Sequence, residues 1–132
     1  FLTRLADDKD LDLTHATFVG YSNGANLLAA TMMLHPDLVK RAILMRSMPV
    51  LDNAPVANLS KARVLTITGE EDKLYSPFAP ALSALLRSGG ARVDARTIDA
   101  DHMLGEKDIA AITQWVASLG PDGAPAVARR GQ

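Results

Sequence analysis

Apolar residues along this chain follow first a strand-like and then a helix-like period. Residues 14–19 form a short run rich in β-branched and aromatic side chains that stops at Gly20, a pattern typical of a strand. Residues 25–34 are apolar nearly all round. That pattern predicts a helix buried on most of its faces, which Pro36 ends or extends by a turn.

Three further strands are predicted downstream. Residues 41–45 and 63–68 are continuous apolar runs, which are typical of parallel strands covered on both faces. Residues 92–98 alternate in part between apolar and polar positions, as expected of a strand near the edge of a sheet. The stretch 49–60 carries two prolines and two asparagines and is predicted to be a loop.

Two amphipathic helices complete the pattern. One ends at Gly89 and Gly90, and its apolar face consists of Phe78, Leu82, Leu85 and Leu86. The other ends at Gly120 and Pro121, and its apolar face consists of Ile109, Ile112, Val116 and Leu119. Strands that alternate with helices predict an α/β fold with an open, mostly parallel sheet. Functional residues of such sheets collect at the carboxyl ends of the strands.

The first predicted strand runs into a motif that carries chemistry. Gly20-Tyr21-Ser22-Asn23-Gly24 has the G-x-S-x-G pattern of a nucleophile elbow, a strained turn that lifts a serine hydroxyl clear of the sheet. Any side chain in place of the hydrogen of Gly20 or Gly24 is expected to collide with the neighbouring strand and helix. The following helix directs its N-terminus at the site, and the backbone N–H of Asn23 is the predicted donor to an oxyanion.

His102 is the predicted general base among the three histidines. It follows the strand at 92–98 and therefore lies at the same edge of the sheet as Ser22. His15 begins the first strand at the opposite edge, and His35 ends a helix far from that helix's N-terminus.

Asp72 is the predicted acid, because it follows the strand at 63–68. The order Ser22, Asp72, His102 along the chain is that of α/β-hydrolases. His102 would take the proton of Ser22 while Asp72 orients the ring, and water would cleave the resulting acyl-enzyme. The neighbours Glu70 and Glu71 and the rival Asp52 stay open as alternatives for the acid. Asp99 and Asp101 are expected to be solvated.

Composition and charge narrow the classes of function. The chain has 14 Lys and Arg against 15 Asp and Glu, so it has no basic face for nucleic acid or an anionic membrane. No apolar run approaches the roughly 20 residues of a membrane helix. The absence of cysteine excludes disulfides, thiolate metal sites and a cysteine nucleophile, and it is compatible with the cytoplasmic location that we expect.

Three segments resemble the phospholipase/carboxylesterase-type predicted esterases of the α/β-hydrolase superfamily. They are GYSNGANLLAATMMLHPDLVKRAILMRSMPVL at 20–51, VLTITGEEDKLYSP at 64–77 and DADHML at 99–104. The resemblance implies hydrolysis of small carboxylic esters without metal or cofactor. It places the family's triad on Ser22, Asp72 and His102.

The front of the chain departs from this family. The fold takes its second oxyanion amide from a loop before the elbow, yet only 21 residues precede Ser22. Residues 1–6 read as the end of a helix, so the first strands of the sheet are expected to be missing. Residues 1–120 are predicted to be the C-terminal portion of one domain, and 121–132 a mobile tail. Made alone, the chain is expected to expose an apolar strand edge and to be nearly inactive.

Several interpretations stay open beside a serine esterase. Met48, Leu51 and Met103 are predicted to line an apolar acyl pocket, with core packing as the alternative for Met48 and Leu51. A thioesterase or a peptidase would use the same triad. A non-catalytic α/β binding module and a homodimer also stay open, whereas a nucleotide-binding domain is disfavoured because no glycine-rich phosphate loop occurs.

Overall fold

The computed structural model describes residues 16–49 and 57–119. Its elements follow the predicted order and are β1 (Thr17–Tyr21), α1 (Asn23–Leu34), β2 (Arg41–Met45), β3 (Arg63–Gly69), a 3-10 turn (Ser76–Phe78), α2 (Ala79–Ser88), β4 (Arg92–Ile98) and α3 (Glu106–Ser118). The predictions for His15, Leu51, Asp52, the helix end at 1–6 and the tail at 121–132 lie outside the described residues.

The four described strands form one parallel sheet in the order β1-β2-β3-β4. Tyr21 pairs with Met45, and Met45 pairs with Ile67, so the carboxyl ends of these strands meet at one edge. β4 has a neighbour on one side only within this described sheet, as its alternating sequence predicts. The predicted α/β class and the parallel sheet are confirmed.

Helices cover both faces of the sheet because successive side chains of a strand point to opposite sides. Ala42 and Leu44 of β2 pack in a cluster with α1 and α2, whereas Ile43 and Met45 pack with α3 around Trp115. Every residue of β2 is therefore buried, which is the reason for its uninterrupted apolar sequence.

The burial predicted for α1 is wrong on one side of the helix. Ala25, Ala29, Met32 and Met33 are buried, and their spacing of i, i+4, i+7 and i+8 marks the single stripe that faces the sheet. Leu27 and Leu34 are 69% and 54% exposed. An apolar sequence all round a helix does not by itself supply neighbours for the side that turns away from the sheet.

β1 forms the other end of the described sheet. Within residues 16–49 and 57–119, no strand pairs with its outer edge, and Val19 of this strand is 58% exposed. No helix in these described segments combines the length and the apolar character that a membrane crossing requires.

Candidate active site

Ser22 occupies the turn between β1 and α1 in a conformation that few residues adopt. Its backbone has φ 54° and ψ −119°, a positive φ that costs a non-glycine residue roughly 1–3 kcal/mol. Two hydrogen bonds hold it there: its N–H donates to the Met45 carbonyl at 2.8 Å, and its carbonyl accepts the Asn26 N–H at 2.9 Å. This is the strained strand-to-helix turn that the G-x-S-x-G pattern predicts.

The two glycines of the motif differ in their surroundings. A methyl group on Gly20 would lie 2.7 Å from the Ala25 Cα and 2.8 Å from its nitrogen, so β1 and α1 approach closely only without a side chain there. A methyl group on Gly24 meets no described atom within 4 Å. The predicted collision is therefore correct for Gly20. It is wrong for Gly24, which lies exposed in the first turn of α1.

Replacing these glycines one at a time gives a matched pair of variants. Gly20→Ala is expected to lower the free energy of unfolding by roughly 1–3 kcal/mol because the added methyl overpacks rigid backbone. Gly24→Ala adds the same methyl in open space and exchanges glycine for a better helix former, so no loss is expected. Urea-induced unfolding of the protein expressed from the complete reading frame measures both free energies. Equal losses in the two variants would contradict the different packing of the two glycines.

Ser22, His102 and Asp72 meet at the carboxyl edge of the sheet. The Nε2 atom of His102 lies 2.9 Å from the Ser22 Oγ, and its Nδ1 atom lies 2.7 Å from the Asp72 Oδ2. A carboxylate accepts hydrogen bonds only, so Nδ1 is the donor to Asp72, and in a neutral ring Nε2 is then the acceptor for the serine hydroxyl. The three predicted residues form a continuous hydrogen-bonded series.

Asp72 is held by the turn that follows β3. It is 5% exposed, and its N–H donates to the Gly69 carbonyl at 3.0 Å. Its Oδ1 atom accepts the Tyr75 N–H at 3.3 Å, which leaves Oδ2 directed at the histidine. The Glu71 N–H donates to the Ala100 carbonyl at 2.9 Å and joins this turn to the segment after β4.

The segment that carries His102 lies directly against the end of β3. A methyl group on Gly69 would lie 2.6 Å from the Ala100 carbonyl oxygen and closer still to that of Asp101, so this approach requires glycine. The Tyr21 hydroxyl donates to the His102 carbonyl at 3.0 Å. Gly69 at the end of β3 and Tyr21 at the end of β1 thus fix the backbone of the histidine from two strands of the sheet.

Two tyrosine rings enclose the His102 ring. Their centroids lie 5.4 Å away for Tyr21 and 4.7 Å away for Tyr75, at tilted angles typical of aromatic contacts. The Tyr75 hydroxyl lies 3.5 Å from the Ser22 Oγ and 3.4 Å from the Asn23 Oδ1. Tyr75 is not among the predicted site residues, and its position three residues after Asp72 was the available signal.

The alternatives to these residues lie elsewhere. Asp99 is exposed and pairs with Lys107 at 3.3 Å, and Asp101 is exposed and accepts the Met103 N–H, as expected of solvated groups. Three further residues are also exposed, and within the described part of the chain none of them is hydrogen-bonded to Ser22: Glu70, Glu71 and His35.

Asn23, Met48 and Met103, the other predicted site residues within the described part of the chain, lie in three different segments. The N–H of Asn23 is in the first turn of α1, where amides have no acceptor within the helix. The Oδ1 atom of Asn26, which is not among the predicted site residues, accepts the Met48 N–H at 2.8 Å and fixes the segment after β2. Met48 is half-buried, and Met103 is 67% exposed.

Comparisons with known proteins agree with the fold of the chain. A carboxylesterase from Mesorhizobium loti is 50% identical to the chain, with a TM-score of 0.85 over 90% of this chain and 56% of its own. The Bacillus cereus carboxylesterase is 27% identical, with a TM-score of 0.82 over 87% of this chain and 55% of its own. The matched folds also include a phospholipase/carboxylesterase from Dyadobacter fermentans. The chain carries part of an α/β-hydrolase fold of this type.

A curated relative points in the same direction. "Putative hydrolase MhqD" of Bacillus subtilis is 26% identical to this hydrolase-like chain over 116 residues, which are 87% of the chain and 58% of the relative. No family model matches. The chain spans between 55% and 58% of the length of the two carboxylesterases and of the curated hydrolase.

The described part of the hydrolase fold contains no group of three or more histidine or carboxylate side chains arranged to hold a metal ion.

Proposed function

We propose that this protein is a serine hydrolase that cleaves small carboxylic esters. The observation that carries the proposal is the unbroken series from Ser22 through His102 to Asp72, with separations of 2.9 and 2.7 Å. A serine hydroxyl is a weak nucleophile by itself, and a hydrogen-bonded base that is oriented by a carboxylate activates it.

The proposed reaction has two halves. The Ser22 Oγ attacks the ester carbonyl carbon while His102 Nε2 takes the hydroxyl proton, and the carbonyl oxygen gains a negative charge. The tetrahedral intermediate expels the alcohol, to which His102 returns the proton, and an acyl-serine remains. Water then attacks the acyl group through the same base and releases the acid.

The developing oxyanion needs hydrogen-bond donors that already point at it. The N–H of Asn23 follows the nucleophile and begins α1, so the helix dipole supports the same charge. We assign this amide as one oxyanion donor. Met48, which follows β2, and Met103, which follows His102, are proposed as apolar residues of the acyl pocket, together with Leu51.

Esters are favoured over other acyl substrates because two solved structures to which the chain is similar, at 50% and 27% identity, are carboxylesterases. A thioester presents the same carbonyl to the same triad, and so does an amide with a poorer leaving group. These alternatives differ in leaving group and not in the residues that attack, so comparison of substrates decides between them.

The test uses the protein expressed from the complete reading frame that encodes these residues, called here the complete-frame protein. It is expected to hydrolyse p-nitrophenyl butyrate faster than the matching butyryl anilide, and a butyryl thioester measures the third class. If it cleaves none of the three, the esterase proposal is wrong and the non-catalytic binding module takes its place.

The 132-residue chain produced alone is the companion sample. We expect it to associate and to have little activity, because the outer edge of β1 has no partner strand among the described residues. Size-exclusion chromatography and the same ester assay measure both properties. A monomeric and fully active 132-residue chain would contradict this expectation without affecting the assignment of the triad.

A further inference from the structure

Arg46 lies directly after β2 in a setting that is unusual for an arginine. Its side chain is 0% exposed, and its backbone has φ 56°, in the left-handed region that disfavours side chains with a Cβ. Its N–H donates to the Ile67 carbonyl at 3.0 Å, which continues the pairing of β2 with β3 by one residue. The turned backbone directs the side chain toward the segment after β4.

The guanidinium group of Arg46 donates to four acceptors. Its Nη1 and Nη2 atoms contact the two carboxylate oxygens of Asp108 at 2.8 and 2.9 Å, a bidentate pair. Its Nε atom donates to the Asp101 carbonyl at 2.8 Å, and Nη2 also donates to the Met103 carbonyl at 3.0 Å.

The two carbonyls belong to the residues immediately before and after His102. One rigid guanidinium plane thus holds the peptide groups on both sides of the proposed base. Asp108, whose side chain is 3% exposed, also accepts the Gly105 N–H at 3.0 Å and so caps α3. The segment 99–105, called here the His102 loop, is thereby tied at its end to the first turn of α3.

Stability alone does not account for this arrangement. Burying two charges removes them from water, and well-packed apolar residues at such places are often as stable or more stable. The left-handed backbone at Arg46 is a further cost. What the ion pair supplies, and what apolar residues cannot, is a directional attachment for the two carbonyl groups of the His102 loop.

We propose that Arg46, anchored by Asp108, is a positioning residue for His102. It does not touch the reacting atoms. It fixes the loop so that Nε2 stays 2.9 Å from Ser22 while Nδ1 stays on Asp72. The inference rests on the proposed function for its catalytic consequence, but the placement of the ring is measurable separately.

Arg46→Lys and Asp108→Asn are the test variants in the complete-frame protein. Lysine keeps the charge but presents one donor atom and cannot reach four acceptors, and asparagine keeps the shape of aspartate while weakening the bidentate pair. Arg96→Lys is the matched control, because Arg96 makes a comparable pair with Asp94 at 3.0 Å on the partly exposed strand β4.

Two readouts separate positioning from a purely structural role. The first is the low-field proton NMR signal of the hydrogen-bonded His102 Nδ1–H, assigned by its loss in His102→Gln. The second is the pair kcat and KM for p-nitrophenyl butyrate. We expect both test variants to remain folded, to lose or broaden the signal, and to lower kcat on the order of 10²-fold with KM little changed. Arg96→Lys is expected to change neither.

A signal as strong in both variants as in the unsubstituted protein overturns the inference, whatever the activity does. Unfolding of both variants overturns it as well, because the pair is then structural; if one unfolds, the other decides. If the unsubstituted protein shows the signal but hydrolyses none of the substrates, the proposed function fails while loss of the signal in the variants still supports positioning. Absence of the signal from the unsubstituted protein overturns the positioning itself.

Discussion

Ser22→Ala is expected to lower kcat for p-nitrophenyl butyrate on the order of 10⁶-fold in the complete-frame protein. The variant removes the only atom that would form the acyl bond, and His102 then has no hydroxyl to deprotonate. Turnover through a bound water molecule is what would remain, supported by the oxyanion donors alone. The loss is expected in kcat, because the hydroxyl acts in the transition state.

The fold of Ser22→Ala is expected to be unchanged. The positive φ is kept by backbone hydrogen bonds to Met45 and Asn26, which alanine can also make. Ser88→Ala is the matched control, since Ser88 ends α2 and its hydroxyl donates to the Leu85 carbonyl at 2.6 Å, with no contact to the triad. Equal activity in Ser22→Ala and Ser88→Ala would mean that another residue performs the reaction.

Asp72→Asn is expected to lower kcat on the order of 10⁴-fold. The amide is nearly the same size as the carboxylate, so the turn after β3 should keep its shape. An amide nitrogen facing Nδ1 favours the tautomer with the proton on Nε2, and that tautomer cannot accept the proton of Ser22. Steady-state kinetics with p-nitrophenyl butyrate measure the effect, and circular dichroism checks the fold.

Asp99→Asn is the control for Asp72→Asn. Asp99 follows β4 at the same edge of the sheet, but it is exposed and pairs with Lys107. We expect this substitution to leave kcat nearly unchanged, since exposed ion pairs contribute little. A fall in Asp72→Asn no larger than that in Asp99→Asn would show that another carboxylate orients His102.

The sequence was sufficient for the fold and for three polar side chains of the site. The apolar runs mark where the strands lie along the chain. In a parallel sheet, the residues that follow each strand must then meet at one edge. Ser22, Asp72 and His102 follow β1, β3 and β4, so their proximity could be predicted before any distance was known. Their catalytic roles remain predictions.

Other features depend on packing that residue types do not reveal. Gly20 and Gly24 are equivalent in the motif, yet only Gly20 touches backbone of the next element. Leu27 looks like a core residue of α1 but lies on the side turned away from the sheet. Arg46 gives no signal at all in sequence, because an arginine after a strand is usually solvated and its partner Asp108 is 62 residues away.

The most direct test of the account is to find which residue reacts covalently. The complete-frame protein is treated with a fluorophosphonate, which phosphonylates activated serines, and the modified peptide is identified by mass spectrometry. Ser22→Ala and His102→Gln are treated in parallel. We expect one modification, on Ser22, with none in Ser22→Ala and very slow reaction in His102→Gln. Modification of a different residue, or equal labelling of His102→Gln, would contradict the claim that Ser22 is a nucleophile activated by His102.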